Sequence, residues 1–242
     1  MKNVKFYLLS IIAAFTMFTA SAQSADDIIN KHIDAVGGRT TIGKINSIYE
    51  EGTMQVMGNE APNNITILNG KGYKSETDFN GQKIVNTVTD KGGWMINPMA
   101  GASDATALPA DQYKNLKAQL YIGGPLLNYV ADGYKAELLG QEKVGTVNAY
   151  KIKLTSKDSA VTTYFIDPTT YYLIKAVTHG NAMGQEVDIT ATFSNFQKTD
   201  VGYTMPFTTD LDFGGQFQLT TTFKKVEVNK PVDPKIFDMP GK

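Results

Sequence analysis

The sequence predicts a mainly β protein with some α: a curled antiparallel sheet that forms an incomplete, half-open β-barrel covered by short helices. Three observations carry this. The apolar period changes from 3.6 to 2 near Ile45 and stays at 2 for most of the chain. Gly, Asn, Asp and Pro punctuate the alternating runs at Gly58-Asn59, Asn69-Gly70, Asn80-Gly81, Lys91-Gly92-Gly93, Asp167-Pro168 and Gly214-Gly215. Several of these spacings are short enough for hairpins, so the sheet meanders. One stretch, residues 109–133, returns to helical spacing and interrupts the strands.

Residues 1–22 have the build of a secretory leader. Lys2 and Lys5 are followed by an apolar run from Phe6 to Phe18, then by Ala20-Ser21-Ala22. That run falls short of the ~20 residues a spanning helix needs. Cleavage after Ala22 leaves one domain, residues 23–242, with no second run of spanning length.

Ser24-Ala-Asp-Asp27 starts a helix, with Ser24 as N-cap and carboxylates in the first turn. Ile28, Ile29, Ile33 and Val36 form its apolar stripe, and Gly37-Gly38 ends it. His32 is expected on the helix surface. The strands then follow by parity. Ile48, Met54 and Val56 share one face, as do Tyr73, Thr77 and Phe79, Trp94 and Ile96, and Tyr150, Ile152 and Leu154. The pattern recurs at Leu173 and Val177, Val187 to Phe193, Tyr203 to Phe207, and Phe217 to Phe223. It amounts to about ten or eleven strands. In the interruption, Pro109 opens a helix that puts Tyr113, Leu116 and Leu120 on one face. Leu126, Leu127, Tyr129 and Val130 predict a second short helix ending near Gly133.

A sheet of this size must curl, close or split. One parity is apolar and the other carries Lys, Glu, Gln and Thr, so a single inner face needs a cover. Few helices are available, and side chains alone hardly fill a barrel so wide, so the sequence implies a hydrophobic cavity. Met54, Tyr73, Phe79, Trp94, Ile96, Tyr150, Phe165, Leu173, Phe193 and Phe207 are the candidate walls, and Leu116, Leu120, Leu126 and Leu127 the candidate lid. Each could instead be ordinary core, and a β-sandwich would alternate in the same way.

Composition narrows the chemistry. There is no Cys among the 242 residues, which removes disulfides, thiolate metal sites, cysteine nucleophiles and an N-terminal lipid. A net charge of −1 gives no footprint for nucleic acid. Only His32 and His179 could serve as imidazole bases, and His179 is expected at an exposed turn. Glu50 and Glu51 are adjacent in a strand and so point to opposite faces, which prevents paired acid–base work. No phosphate loop or dinucleotide fingerprint occurs. The sequence therefore predicts no enzyme, no cofactor and no metal.

The run Thr89-Asp-Lys-Gly-Gly-Trp-Met-Ile-Asn-Pro98 resembles the periplasmic outer-membrane lipoprotein carriers, the LolA-like family. There an Asp-Gly turn leads into a strand with Trp and then an Asn-Pro corner. Gly124-Pro-Leu-Leu127 is similar to the family's insert helix, Asp233-Pro-Lys-Ile-Phe-Asp-Met-Pro240 to its terminal Phe-x-x-Pro, and Asp26 to Gly38 to the first helix of lipoprotein-sorting relatives. The resemblance implies an incomplete barrel binding acyl chains of lipids or lipoproteins, in a periplasm. One feature departs from it. The family often carries an Arg on an early strand that helps hold the lid, whereas here Gly70-Lys71-Gly72-Tyr73-Lys74 offers only lysines.

The expected function is thus a periplasmic carrier or chaperone for acyl chains of lipids or lipoproteins, sorting to the outer membrane with inner- and outer-membrane transfer partners. A fourteen-carbon chain buries on the order of 10 kcal/mol before entropy and lid costs, so binding needs no charged partner. Alternatives are an envelope sensor or interaction module of the same fold and, behind it, a hydrolase with distant carboxylates. Secretion out of the cell is the alternative to the periplasm.

Overall fold

The computed structural model describes residues 23–182 and 185–241. The expected leader, residues 1–22, lies outside the described residues.

The first helix, α1 (Ala25–Ala35), begins where the sequence places it. Ser24 accepts from the Asp27 N–H at 3.1 Å, and the Asp27 carboxylate accepts from the Ser24 N–H at 3.1 Å. This reciprocal cap satisfies two N–H groups that the first turn leaves free. Ile28, Ile29 and Ile33 are fully buried on its apolar stripe. Gly37 turns the chain into a short second helix, α2 (Gly38–Ile42), which the alternation after Ile45 gave no reason to expect.

Thirteen strands follow, against the ten or eleven expected. They are β1 (Ser47–Val56), β2 (Asn59–Leu68), β3 (Gly72–Phe79), β4 (Gln82–Thr89), β5 (Gly92–Asn97), β6 (Ala102–Ala107), β7 (Lys135–Val144), β8 (Val147–Thr155), β9 (Val161–Ile166), β10 (Leu173–Ala182), β11 (Gln185–Lys198), β12 (Thr204–Phe213) and β13 (Gln218–Val228). All join one antiparallel sheet in the order β6-β5-β4-β3-β2-β1-β13-β12-β11-β10-β9-β8-β7. The edges are β6, which has no large apolar residue, and β7, which is mostly exposed and carries two Lys and two Glu. Weak patterns of this kind are what open edges tolerate.

The topology explains the helical insert. The chain starts β1 in the middle of the sheet and runs outward to one edge, β6. It must then reach the opposite edge, β7, before meandering back to β13 beside β1. Thirteen strands laid flat would span roughly 60 Å. The connection, residues 108–134, is partly helical, which shortens its reach, and its contacts with strands of both arms place it across the hollow of a curled sheet. Its helix α3 (Ala110–Leu116) touches both arms. The Tyr113 hydroxyl donates to the Thr89 carbonyl at 3.0 Å, and Lys114 pairs with Asp158 at 3.1 Å.

A 3₁₀ turn (Lys117–Leu120) extends α3 and buries Leu120 completely. The second insert helix expected at residues 126–133 is not formed; the segment is a string of turns. Gly123 (φ 88°) and Gly124 (φ 64°) adopt left-handed backbone, and Pro125 then supplies no N–H. Leu126 and Tyr129 are nonetheless buried against α1 and strands β8 and β9.

Candidate functional site: the concave face

Opposed residues on neighbouring strands share a face, so the register sorts the sheet into a concave and a convex side. The concave side of β1 carries Ile48, Glu50, Gly52, Met54 and Val56, opposite Ile67, Ile65, Asn63, Ala61 and Asn59 of β2. Near one end of the strands this face is sealed. Ile28, Ile29, Leu126, Ile152 and Ile166 form one buried cluster, Ile42, Ile45, Ile48 and Ile122 a second, and Tyr73, Val88, Leu108 and Leu120 a third. At the other end the apolar residues are only half-buried: Met54 and Val56 on β1, Ile189 and Phe193 on β11, Leu211 and Phe213 on β12, Leu219 on β13. The result is an open apolar trough running up to a filled core. Two shallow polar recesses, of about 340 and 430 Å³, lie elsewhere, around Asp78 and around Asp210.

Eleven of the fourteen expected site residues stand on or against the concave side. Met54, Tyr73, Phe79, Phe193 and Phe207 do so by strand parity. Tyr150 and Leu173 pack on the cluster under α1, and Leu116 packs on the cluster beside Leu120. Leu120 and Leu126 are buried, and Leu127 packs against two of the clusters. The four leucines of the insert therefore fill the covered half with the protein's own side chains.

Trp94, Ile96 and Phe165 face the other way, which corrects the expectation that they line the cavity. Trp94 opposes Thr87, and Thr87 opposes Lys74, placing the indole on the convex side; Met95 takes the concave position beside Tyr73 and Leu108. Ile96, two residues on, follows Trp94. Trp94 is buried all the same, because the C-terminal segment crosses the convex side and its 3₁₀ turn (Pro234–Phe237) caps the indole. Phe165 opposes Lys151 and Lys175, whose ammonium groups lie 5.8 and 5.0 Å from its ring centre. It is an outer-face aromatic shielded by two lysine stems.

The lysines weighed as substitutes for a lid-holding Arg also miss the interior. Lys74 is on the convex face, paired with Glu76 at 3.2 Å, and Lys71 is exposed in the turn before β3. His32 is buried and not on the helix surface. Its Nδ1 lies 2.8 Å from the Tyr171 carbonyl oxygen, and burial holds its pKa below the ordinary value. His179 is exposed but sits inside β10, with its two nitrogens 2.9 Å from Glu186 and 3.1 Å from Asp188.

Where the sealed half meets the trough, the concave face turns polar. Glu50 is only 5% exposed, and burial alone pushes its carboxyl up to about 8. The hydroxyls of Tyr73 and Tyr203 feel its charge and are themselves raised to about 12, chiefly by burial. Asn63 is completely buried; its Oδ1 accepts from the Thr77 hydroxyl at 2.9 Å, while its Nδ2 finds no partner. None of these polar residues except Tyr73 is among the site residues expected from the sequence. The signal for Glu50 was available, since it shares the parity of Ile48, Met54 and Val56.

No protein-family model matches the chain, and no curated protein matches its sequence. Solved structures do match its fold. A domain assigned to outer membrane lipoprotein-sorting proteins from Vibrio parahaemolyticus aligns with TM-score 0.59 at 14% identity, over 88% of this chain and 95% of that one. A LolA superfamily protein from Nitrosomonas europaea aligns with TM-score 0.58 at 14% identity, over 90% and 98%. A DUF1329 family protein from Desulfovibrio piger gives 0.54 at 11% identity, over 88% and 95%. The chain has the LolA-like fold, an open antiparallel barrel with short helices across it.

Proposed function

We propose that the protein is an exported, non-enzymatic carrier that shields acyl chains of lipids or lipoproteins against its concave face, in the periplasm, after loss of residues 1–22. The observation that supports it is the asymmetry of the two faces. The trough presents Met54, Ile189, Phe193, Leu211 and Leu219 only half-buried, while the convex side of the same strands carries Thr190, Thr192, Asp210, Asp212 and Thr220. Apolar surface in contact with water costs free energy, and an acyl chain laid along it recovers roughly 0.8 kcal/mol per buried CH₂. Similarity of fold to lipoprotein-sorting structures supports the same reading. Among the described residues, no helix is long and apolar enough to cross a membrane.

Native mass spectrometry of the protein purified from its own envelope, with extraction and identification of bound lipid, tests this. An added mass matching a phospholipid, fatty acid or lipopeptide is the expected result. A bare protein mass, together with no uptake of a fluorescent fatty acid, would overturn it in favour of a protein-binding module.

A further inference from the structure

We propose that Glu50 and Asn63 form a polar anchor in the concave face that hydrogen-bonds the carbonyl group at the head of a bound acyl chain. The inference rests on the carrier reading and adds to it the recognition of a head group.

Two observations carry it. First, both side chains are more than nine-tenths buried, and each holds polar atoms with no hydrogen-bond partner to offset that burial: the Glu50 carboxyl, and the Nδ2 of Asn63, whose Oδ1 is bound by Thr77. Glu50 has the apolar Ile65 and Val226 as its cross-strand neighbours, and no hydrogen-bond donor or cation offsets its burial. Asn63 leaves Nδ2 unpaired. Leaving a fully enclosed group such as Asn63 Nδ2 unsatisfied costs about 1–3 kcal/mol, whereas the Glu50 carboxyl keeps a sliver of exposure through which a ligand can reach it. Second, they lie together. Ile65 opposes Glu50, and Asn63 is two residues along the same strand, so the pair are diagonal neighbours about 7–8 Å apart on one face. They stand where the sealed core ends and the half-buried trough of Met54, Phe193 and Leu219 begins, the place where the head of a chain lying in the trough would stop.

The donors and acceptors select the ligand. A neutral Glu50 offers one O–H, and Asn63 Nδ2 offers N–H groups. Two donors on one face suit a carbonyl oxygen, and the remaining Glu50 oxygen suits an amide N–H. Tyr73 and Tyr203 are the titratable groups that act with Glu50, and both hold their protons well past pH 9. Esters of glycerolipids and the amide of an N-acylated lipoprotein share the carbonyl.

The test uses the full mature protein and three fluorescent probes: a polyene fatty acid as its methyl ester, the same acid as its N-methyl amide, and the pure hydrocarbon diphenylhexatriene. None of them titrates. Wild type is expected to bind all three, and Glu50→Leu and Asn63→Leu to weaken ester and amide about tenfold while leaving the hydrocarbon unchanged. Carbonyl-probe affinity should fall between pH 7 and 9 in wild type and stay level in Glu50→Gln, which keeps a donor at every pH. A stronger ester points to glycerolipid, a stronger amide to an N-acyl lipoprotein, and either supports the anchor. Equal binding of all probes by wild type and variants overturns it and leaves the carrier reading standing. Failure of wild type to bind any of the three removes both.

Discussion

The indole N–H of Trp94 donates to the backbone carbonyl of Phe237 at 2.8 Å. It joins two segments 143 residues apart in the chain. Both belong to motifs whose resemblance to a known family is legible in the sequence, the Asp-Gly-Trp strand and the terminal Phe-x-x-Pro. Gly72 makes the contact possible, because a β-carbon there would lie 2.5 Å from the Phe237 ring. This contact is a clasp on the convex side, remote from the trough.

Phe237→Ala should therefore lower stability by about 3–5 kcal/mol, with Gly72→Val acting in the same direction by displacing the tail. Urea unfolding followed by the single Trp measures it. Emission of folded Trp94 should not move when an acyl probe is added; a ligand-dependent shift would put the indole in contact with the trough after all.

Charge placed in the trough should abolish uptake. Phe193→Glu sits half-buried on the concave side, so acyl-probe affinity is expected to fall at least tenfold with little change in melting temperature. Phe165→Leu, on the convex side under Lys151 and Lys175, should leave affinity unchanged. Equal losses in both variants would argue for general destabilisation.

Two buried groups give stability opposite slopes with pH. The native state keeps a proton on Glu50 that the unfolded chain releases from about 4.5 upward, so stability falls as pH rises from there through about 8 and levels off above it. The full shift corresponds to roughly 5 kcal/mol. His32 is held below its ordinary value by burial, so the unfolded chain takes up a proton that the native state refuses, and stability falls as pH drops below 6.5. Denaturation at pH 5, 7 and 9 should show Glu50→Gln more stable than wild type at pH 9. Parallel curves for the two proteins would rule out a buried, protonated Glu50.

The bridge across the hollow is tested at Tyr113. Its hydroxyl donates to the carbonyls of Thr89 and Asp90 at 3.0 and 3.2 Å, on the arm opposite the Lys114–Asp158 pair. Tyr113→Phe should cost about 1 kcal/mol and speed amide exchange in α3 selectively. Unchanged protection of α3 would mean that Leu116 and Leu120 alone hold it.

Local patterns were legible where local physics decides them. Ser24 and Asp27 cap α1 because both partners lie within four residues, and Tyr113, Leu116 and Leu120 share a face because helical spacing puts them there. The edge strands β6 and β7 were harder to read, because an edge needs little apolar alternation. The second insert helix is replaced by turns, yet Leu126 and Tyr129 are buried, so apolar residues are buried here without a helix. Trp94, Ile96 and Phe165 misled for one reason: burial on the convex side, under a tail or under lysine stems, leaves the same apolar mark in a strand as burial on the concave side.

Spacings of a few residues are enough to set the antiparallel sheet, the capped first helix, the amphipathic face of α3 and the separation of Glu50 from Glu51. Long-range pairing settled which parity is concave, that the C-terminal segment covers Trp94, and that Glu50 and the unpaired Nδ2 of Asn63 share one face at the end of the trough. Those depend on the pairing of β1 with β13 and on the path of residues 108–134 between the two sheet edges. Contacts between residues so distant in the chain are set by the closure of the whole sheet and leave no periodicity in the sequence.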